Sequence, residues 1–166
     1  MDAVINKGSR HSQIVGKFGE YMICNWLSRS HFEVVNADQT GIDIIAYNQD
    51  TKERLGITVK SRTRTDRSEK DVVFLFRQGD REKLQKACDA FSCVPWVAVY
   101  VETTRSSDLY LTSLKNFDDK YRSEAQTEGW KMSPGYKKRY EDDKEVKHIE
   151  IAFQVKCWWP SSVIPT

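Results

Sequence analysis

Gly41-Ile42-Asp43-Ile44-Ile45-Ala46-Tyr47 and, ten residues on, Ile57-Thr58-Val59-Lys60-Ser61 decide how this chain is read. Both are short runs of β-branched and aliphatic residues, the composition of strands. The polar stretch between them, Asn48 to Glu53, is short enough to join an antiparallel hairpin. Side chains alternate along a strand. Alternation puts Asp43, Ile45 and Tyr47 on one face of the first strand, opposite Ile42, Ile44 and Ala46. On the second strand Thr58 and Lys60 share a face, opposite Ile57 and Val59. A hairpin in this register brings Asp43, Thr58 and Lys60 to one side of a sheet. An acid and a lysine converging among aliphatics suit hydrolysis of a phosphodiester. A hard divalent cation there takes oxygen ligands, and a nearby fixed cation stabilises the attacked phosphate.

Upstream, Ser9 or Ser12 caps a predicted helix that runs to about Ser28. At 100° per residue, Ile14, Val15, Phe18, Tyr21, Met22 and Trp26 fall in one arc, the expected core face. Ile23 and Leu27 form a second, weaker apolar strip with Glu20 near it. Gly16 and Gly19 each cost the helix roughly 1 kcal/mol relative to Ala, and such glycines commonly admit another backbone. Phe32 to Asn36 reads as a further strand before the turn Asp38-Gln39-Thr40-Gly41.

Downstream, Arg62 to Lys70 reads as a basic loop and Asp71 to Phe76 as a strand. Gly79-Asp80 opens a helix over 81–91 with Leu84, Ala87, Cys88 and Phe91 inward. Pro95 to Val101 is nearly continuous apolar sequence, as in a central strand covered on both faces. Leu109-Tyr110-Leu111 and Lys147 to Val155 are two more strands. Residues 115–144 between them read as a charged helical or irregular insertion broken at Ser133-Pro134-Gly135. The apolar Trp158-Trp159-Pro160 tail is expected to dock on its own domain or on a partner. The element order gives an α/β domain with a mixed sheet. One domain spans 1–166: a core over 8–101, then additional strands and the charged insertion over 102–166.

Composition and charge set limits. With 166 residues, 39% hydrophobic and 30% charged, the chain can bury one real core. A net charge of +2 does not by itself announce a nucleic-acid binder, but from Lys52 to Lys70 seven basic residues face three acidic ones. That patch is able to meet phosphates, and it reads equally well as a solvated loop. Cys24, Cys88, Cys93 and Cys157 lack paired metal-site spacing and read as buried free thiols of a reducing, cytoplasmic compartment. His11, His31 and His148 are scattered and read as surface or helix-end residues. No apolar run approaches the length of a membrane span.

Gly19-Glu20 on the first helix, the Gly41-Ile42-Asp43-Ile44-Ile45-Ala46 strand and Ile57-Thr58-Val59-Lys60-Ser61 together resemble the PD-(D/E)xK nuclease superfamily. The resemblance is nearest to the branch of archaeal Holliday-junction resolvases and related restriction-endonuclease-like proteins. Gly8-Ser9-Arg10 before the helix, and Val73-Phe74-Leu75, a helix and Pro95 to Val99 after it, follow the order of that branch over residues 8–101. Singly, Asp43 reads as a strand-end residue, Lys60 as an edge-strand lysine and Glu20 as a surface helix residue; their order carries the signal. The resemblance implies a three-layer α/β/α core of αβββαβ order with a C-terminal extension. It implies a Mg²⁺- or Mn²⁺-dependent deoxyribonuclease, acting on branched, damaged or foreign DNA as a homodimer. Asp43, Glu20 and the Val59 carbonyl would bind metal, and Lys60 would be the catalytic lysine. Apart from the resemblance, Arg10, Lys17, Ser61, Arg62 and Arg64 are candidates for contacts with the nucleic acid, and read at least equally well as ordinary surface residues. Thr58 departs from the pattern, which has Glu, Asp or Gln there. Either Glu20 compensates, or water mediates a weak metal site, or the chain is a degenerate member that binds nucleic acid or a protein without cutting. A third reading, a purely structural interaction domain, places function in 115–144 and the tryptophan tail.

Overall fold

In the computed structural model, residues 5, 7–64, 72–122 and 128–154 are described. In chain order the elements are α1 (His11–Ser28), β1 (Phe32–Gln39), β2 (Ile42–Asn48), β3 (Arg54–Thr63), β4 (Val72–Phe74) and α2 (Asp80–Phe91). They continue as β5 (Val94–Glu102), β6 (Ser106–Ser113), α3 (Leu114–Lys120), β7 (Gly129–Lys131), α4 (Pro134–Asp142) and β8 (Lys147–Ala152). Six strands form one mixed sheet in the order β1-β2-β3-β5-β6-β8. β1, β2 and β3 are antiparallel neighbours, β5 runs parallel to β3, and β6 and β8 return antiparallel. The parallel β3–β5 step needs a crossover, and α2 supplies it. Helices lie on both faces, which makes the three-layer α/β/α arrangement around a central mixed sheet expected from the sequence.

Each face of the sheet has its own core. On one, Val15, Ile23 and Leu27 of α1 pack on Ile44, Ala46, Ile57, Ala98 and Leu109. On the other, Leu84 and Cys88 of α2 join Ile42, Val97, Val99 and a group of aromatics from residues 110–140. Charged residues 115–144 thus enclose apolar ones. Phe117 of α3, Trp130 of β7 and Tyr140 of α4 are fully or almost fully buried, and the Trp130 and Tyr140 rings stack at 4.0 Å. Pro134 is no break: it opens α4 from the first turn, where its missing N–H costs nothing. Arg81 of α2 holds this region by forked hydrogen bonds to Asp118 and Glu128.

Several expectations are corrected. The buried line of α1 is Val15-Gly19-Ile23-Leu27, while Ile14, Phe18 and Tyr21 are 64%, 47% and 63% exposed. The cause is Gly19. A Cβ built there would lie 2.2 Å from Ser61 Oγ and 3.1 Å from Tyr100 Cβ, so the helix meets β3 and β5 on its smallest residue. Gly16 has no such neighbour within 4 Å. Arg10, not Ser9 or Ser12, occupies the N-cap position of α1, with no side-chain cap. Phe91 is 46% exposed, because α2 buries only Leu84 and Cys88 fully. β4 leaves the main sheet and pairs with β7. Arg62 and Thr63 belong to β3 rather than to a loop. His148 is no surface residue: it stacks on Tyr110 at 4.3 Å, and its Nε2 lies 2.9 Å from the buried Asp108. Cys88 is buried and Cys24 and Cys93 half-buried, all as free thiols. Cys157, the Trp158-Trp159-Pro160 tail, Val155, Asp71 and the loop beyond Arg64 lie outside the described residues.

Candidate active site

β1 and β2 pair regularly from Phe32↔Asn48 to Asn36↔Ile44, then resume at Gln39↔Ile42. Two residues of β1, Ala37 and Asp38, therefore oppose Asp43 alone, and Asp38 takes a positive φ of 44°. An irregularity of this kind re-aims the side chain beside it. It also shifts the phase of β2. Ile44 and Ala46 pack on the α1 side as alternation predicts, but Ile42 turns to the α2 side, where its Cδ1 lies against Gly56. The strict two-face assignment of Ile42 with Ile44 and Ala46 fails at this point.

The β2–β3 ladder runs from Tyr47↔Arg54 to Ile44↔Ile57. Beyond it, the Asp43 carboxylate stands in for main chain. Oδ2 accepts the Val59 N–H at 2.6 Å and the Thr58 hydroxyl at 3.2 Å. Thr58 is buried at 6% exposure and acts here as a donor to Asp43. Oδ1 accepts no hydrogen bond from a described residue. Burial pushes the Asp43 carboxyl above the ordinary range and the Glu20 charge adds to that, while the Val59 N–H, Lys60 and Thr58 pull it down. Lys60, paired with Val99 in the parallel ladder, also lowers Asp80 of α2, although there the bond from the Arg77 N–H is the larger cause. One ammonium thus acts on two carboxylates.

Glu20 reaches this site from the opposite layer. Its side chain is only 14% exposed, and Oε2 accepts from Lys17 Nζ at 3.0 Å and Asn36 Nδ2 at 3.3 Å. Lys17 Nζ also lies 3.7 Å from Asp38, and Glu20 raises its pKa. Lys17 is therefore engaged with the acids at the site's edge. Asn36 and Asp38, which the sequence reading passed over, come to the site through the β1 irregularity.

The other predicted contacts are spread around the helix. Arg10 lies exposed at the start of α1. The Ser61 hydroxyl is buried beneath Gly19 and has no hydrogen-bond partner among the described residues. Arg62 lines a cavity of about 320 Å³ with Lys7, Ser12 and His11. The Arg64 N–H donates to the Glu102 carbonyl at 2.8 Å. One cluster went unnoticed in sequence: His11 Nε2 lies 2.9 Å from Thr63 Oγ1 and 3.1 Å from Glu102 Oε1, and Thr63 donates to the same oxygen at 2.7 Å. It ties the start of α1 to the ends of β3 and β5. Residues so far apart in sequence leave no local signal.

Asp43 and Glu20 offer oxygen donors of the kind a hard divalent cation such as Mg²⁺ takes, alongside waters. Asp43 and Glu20 each keep one oxygen without a hydrogen-bond partner among the described residues, and the Glu20 charge raises the Asp43 carboxyl. A fuller cage is absent: among the described residues, no group of three or more His, Cys, Asp or Glu side chains could hold a metal.

No protein-family model and no curated protein matches the chain. Among solved structures, the chain is similar to Archaeoglobus fulgidus Hjc, a Holliday junction resolvase from an archaeal hyperthermophile. Identity is 22% and the TM-score 0.42, over 52% of this chain and 64% of the resolvase chain. The match thus spans less than two thirds of that resolvase. No helix among the described residues is long and apolar enough to cross a membrane.

Proposed function

We propose that the protein is an intracellular, divalent-metal-dependent deoxyribonuclease whose centre is Glu20, Asp43 and Lys60. The observation that carries this reading is the setting of Asp43. Its Oδ2 is held by the Val59 N–H and the Thr58 hydroxyl, while Glu20 of the α1 layer accepts from Asn36, the ladder partner of the adjacent Ile44. Burial and the Glu20 charge raise this carboxyl, and Lys60 on the neighbouring strand lowers it.

Asp43 and Glu20, with the Val59 carbonyl, would hold Mg²⁺ or Mn²⁺. When bound, such an ion polarises a phosphoryl oxygen and lowers the pKa of its water. Thr58 and the Val59 N–H fix Asp43 Oδ2, so that carboxylate needs no reorganisation when a cation arrives. Lys60 supplies a fixed positive charge where the attacked phosphate gains negative charge. Water adds to phosphorus as the P–O bond to the departing sugar oxygen breaks, and the proton the water loses to solvent is balanced by one taken up at that oxygen.

Two contacts favour a second reading, DNA binding without cleavage. Thr58 brings a hydroxyl where a carboxylate is expected, and Lys17 already neutralises part of Glu20. Plasmid and four-way-junction DNA incubated with the purified protein, with and without Mn²⁺, decide between them. Cleavage that needs Mn²⁺ and disappears in Asp43→Ala and Lys60→Ala is the expected result, with Thr58→Glu cutting faster. DNA binding with no metal-dependent cleavage, unchanged in both variants, overturns the nuclease reading.

A further inference from the structure

The exposed side of α1 presents Arg10, Gln13, Ile14, Lys17, Phe18 and Tyr21, and these line a groove of about 670 Å³ that Glu20 borders. Three large apolar side chains stand in it more than 40% exposed, although the helix buries its opposite face on the sheet. Phe18 is not loose. Its ring meets that of buried Tyr100 edge-on at 5.5 Å, which fixes its orientation while leaving it open to solvent. The upstream end of the groove is positive. Arg10 is there, and the first turn of α1 has neither an acidic residue nor a side-chain cap. Lys7 and Arg62 line the adjoining cavity. The downstream end meets Glu20, and through it Asp43.

We infer that this face holds an unpaired stretch of the DNA strand, its bases stacking on Tyr21 and Phe18 and its phosphates running along the Arg10 end of α1. This deepens the nuclease reading and rests on it for the identity of the ligand. Aromatic rings beside a positive track are what a single strand requires: every base has a π-face, and stacking tolerates any sequence. A base paired inside a duplex offers no such face, so the groove would select DNA with melted or branched segments.

The test uses the full chain in EDTA, so that binding is read without cleavage. Fluorescence anisotropy is measured with a labelled oligothymidine, a blunt duplex of equal length and a four-way junction. Tyr21→Ala is the principal variant, because a side chain 63% exposed can be removed without loss of the fold; Phe18→Leu is the companion. Tyr21→Ala should weaken oligothymidine binding by about 5- to 100-fold and duplex binding by less than about twofold. Equal losses on both DNAs, or none, overturn the inference. So does a dimer in sedimentation that Tyr21→Glu dissociates, since that face would then be covered by another copy. Failure of the nuclease reading looks different: no Mn²⁺-dependent cleavage, with the Tyr21 effect on single strands intact.

Discussion

Replacing Gly41 by Ala adds one methyl group and should cost more than any comparable change in the described chain. Gly41 holds φ at +97° in the β1–β2 turn. An L residue in left-handed territory costs about 1–2 kcal/mol. The new Cβ would also lie 2.5 Å from the Lys83 carbonyl carbon and oxygen and 2.8 Å from the Leu84 nitrogen. These are backbone atoms of α2, so no rotamer change relieves the clash, and overpacking of this kind costs about 1–3 kcal/mol. Together the two effects predict a loss of about 2–5 kcal/mol, which lowers Tm by roughly 4–20 °C. Gly16→Ala is the control. It makes the same change inside α1, where nothing lies within 4 Å, and should gain about 0.5–1 kcal/mol. Urea unfolding of both variants beside the wild type measures the separation. A Gly41→Ala loss below about 1 kcal/mol, or coincident midpoints, would refute the claim that the turn rests directly on the helix backbone. Gly41 stands two residues before Asp43, so the variant should also weaken Mn²⁺-induced stabilisation.

Asp43→Asn should stabilise the protein at neutral pH, because its carbonyl still accepts from Val59 and Thr58 while the charge that burial opposes is gone. The folded-state pKa of Asp43 is raised, so wild-type stability falls as pH rises through it. The advantage of Asn should therefore fade on acidification, as paired urea titrations at pH 7 and pH 4 will read. Added Mn²⁺ should reverse the order at pH 7, and an Asn variant no more stable than wild type there refutes the account. Trp130→Ala, which removes a ring with 0% exposure stacked on Tyr140, should cost about 3–5 kcal/mol in the same assay.

Much of the fold was legible because its signals are local. β2 and β3 announce themselves by aliphatic alternation, the start of α2 by Gly79-Asp80, and β5 by its unbroken apolar run. The packing side of α1 was not. Hydropathy scores Gly19 as nothing, yet a missing side chain is what let the helix approach Ser61 and Tyr100, and that turned Ile14, Phe18 and Tyr21 outward. At the site, the meeting of Thr58 with Asp43 was legible, because a hairpin register is set by nearby residues. The β1 irregularity that brings in Asn36 and Asp38 is a property of pairing between strands and has no pattern in either. The aromatic group around Trp130 was hidden for a similar reason: Phe117, Trp130 and Tyr140 each sit among charges and meet only in three dimensions.

The two cores on opposite sides of the sheet also differ in when they can be completed. Buried members of the α1-side core run from Val15 to Leu111, whereas those of the other run from Ile42 to Val146. Synthesis runs from the N-terminus. The layer carrying Glu20 therefore has all its buried residues in the chain before the last third is made. The α2 layer has to wait, with Leu84 and Cys88 bare, until Trp130 and Tyr140 arrive to cover it.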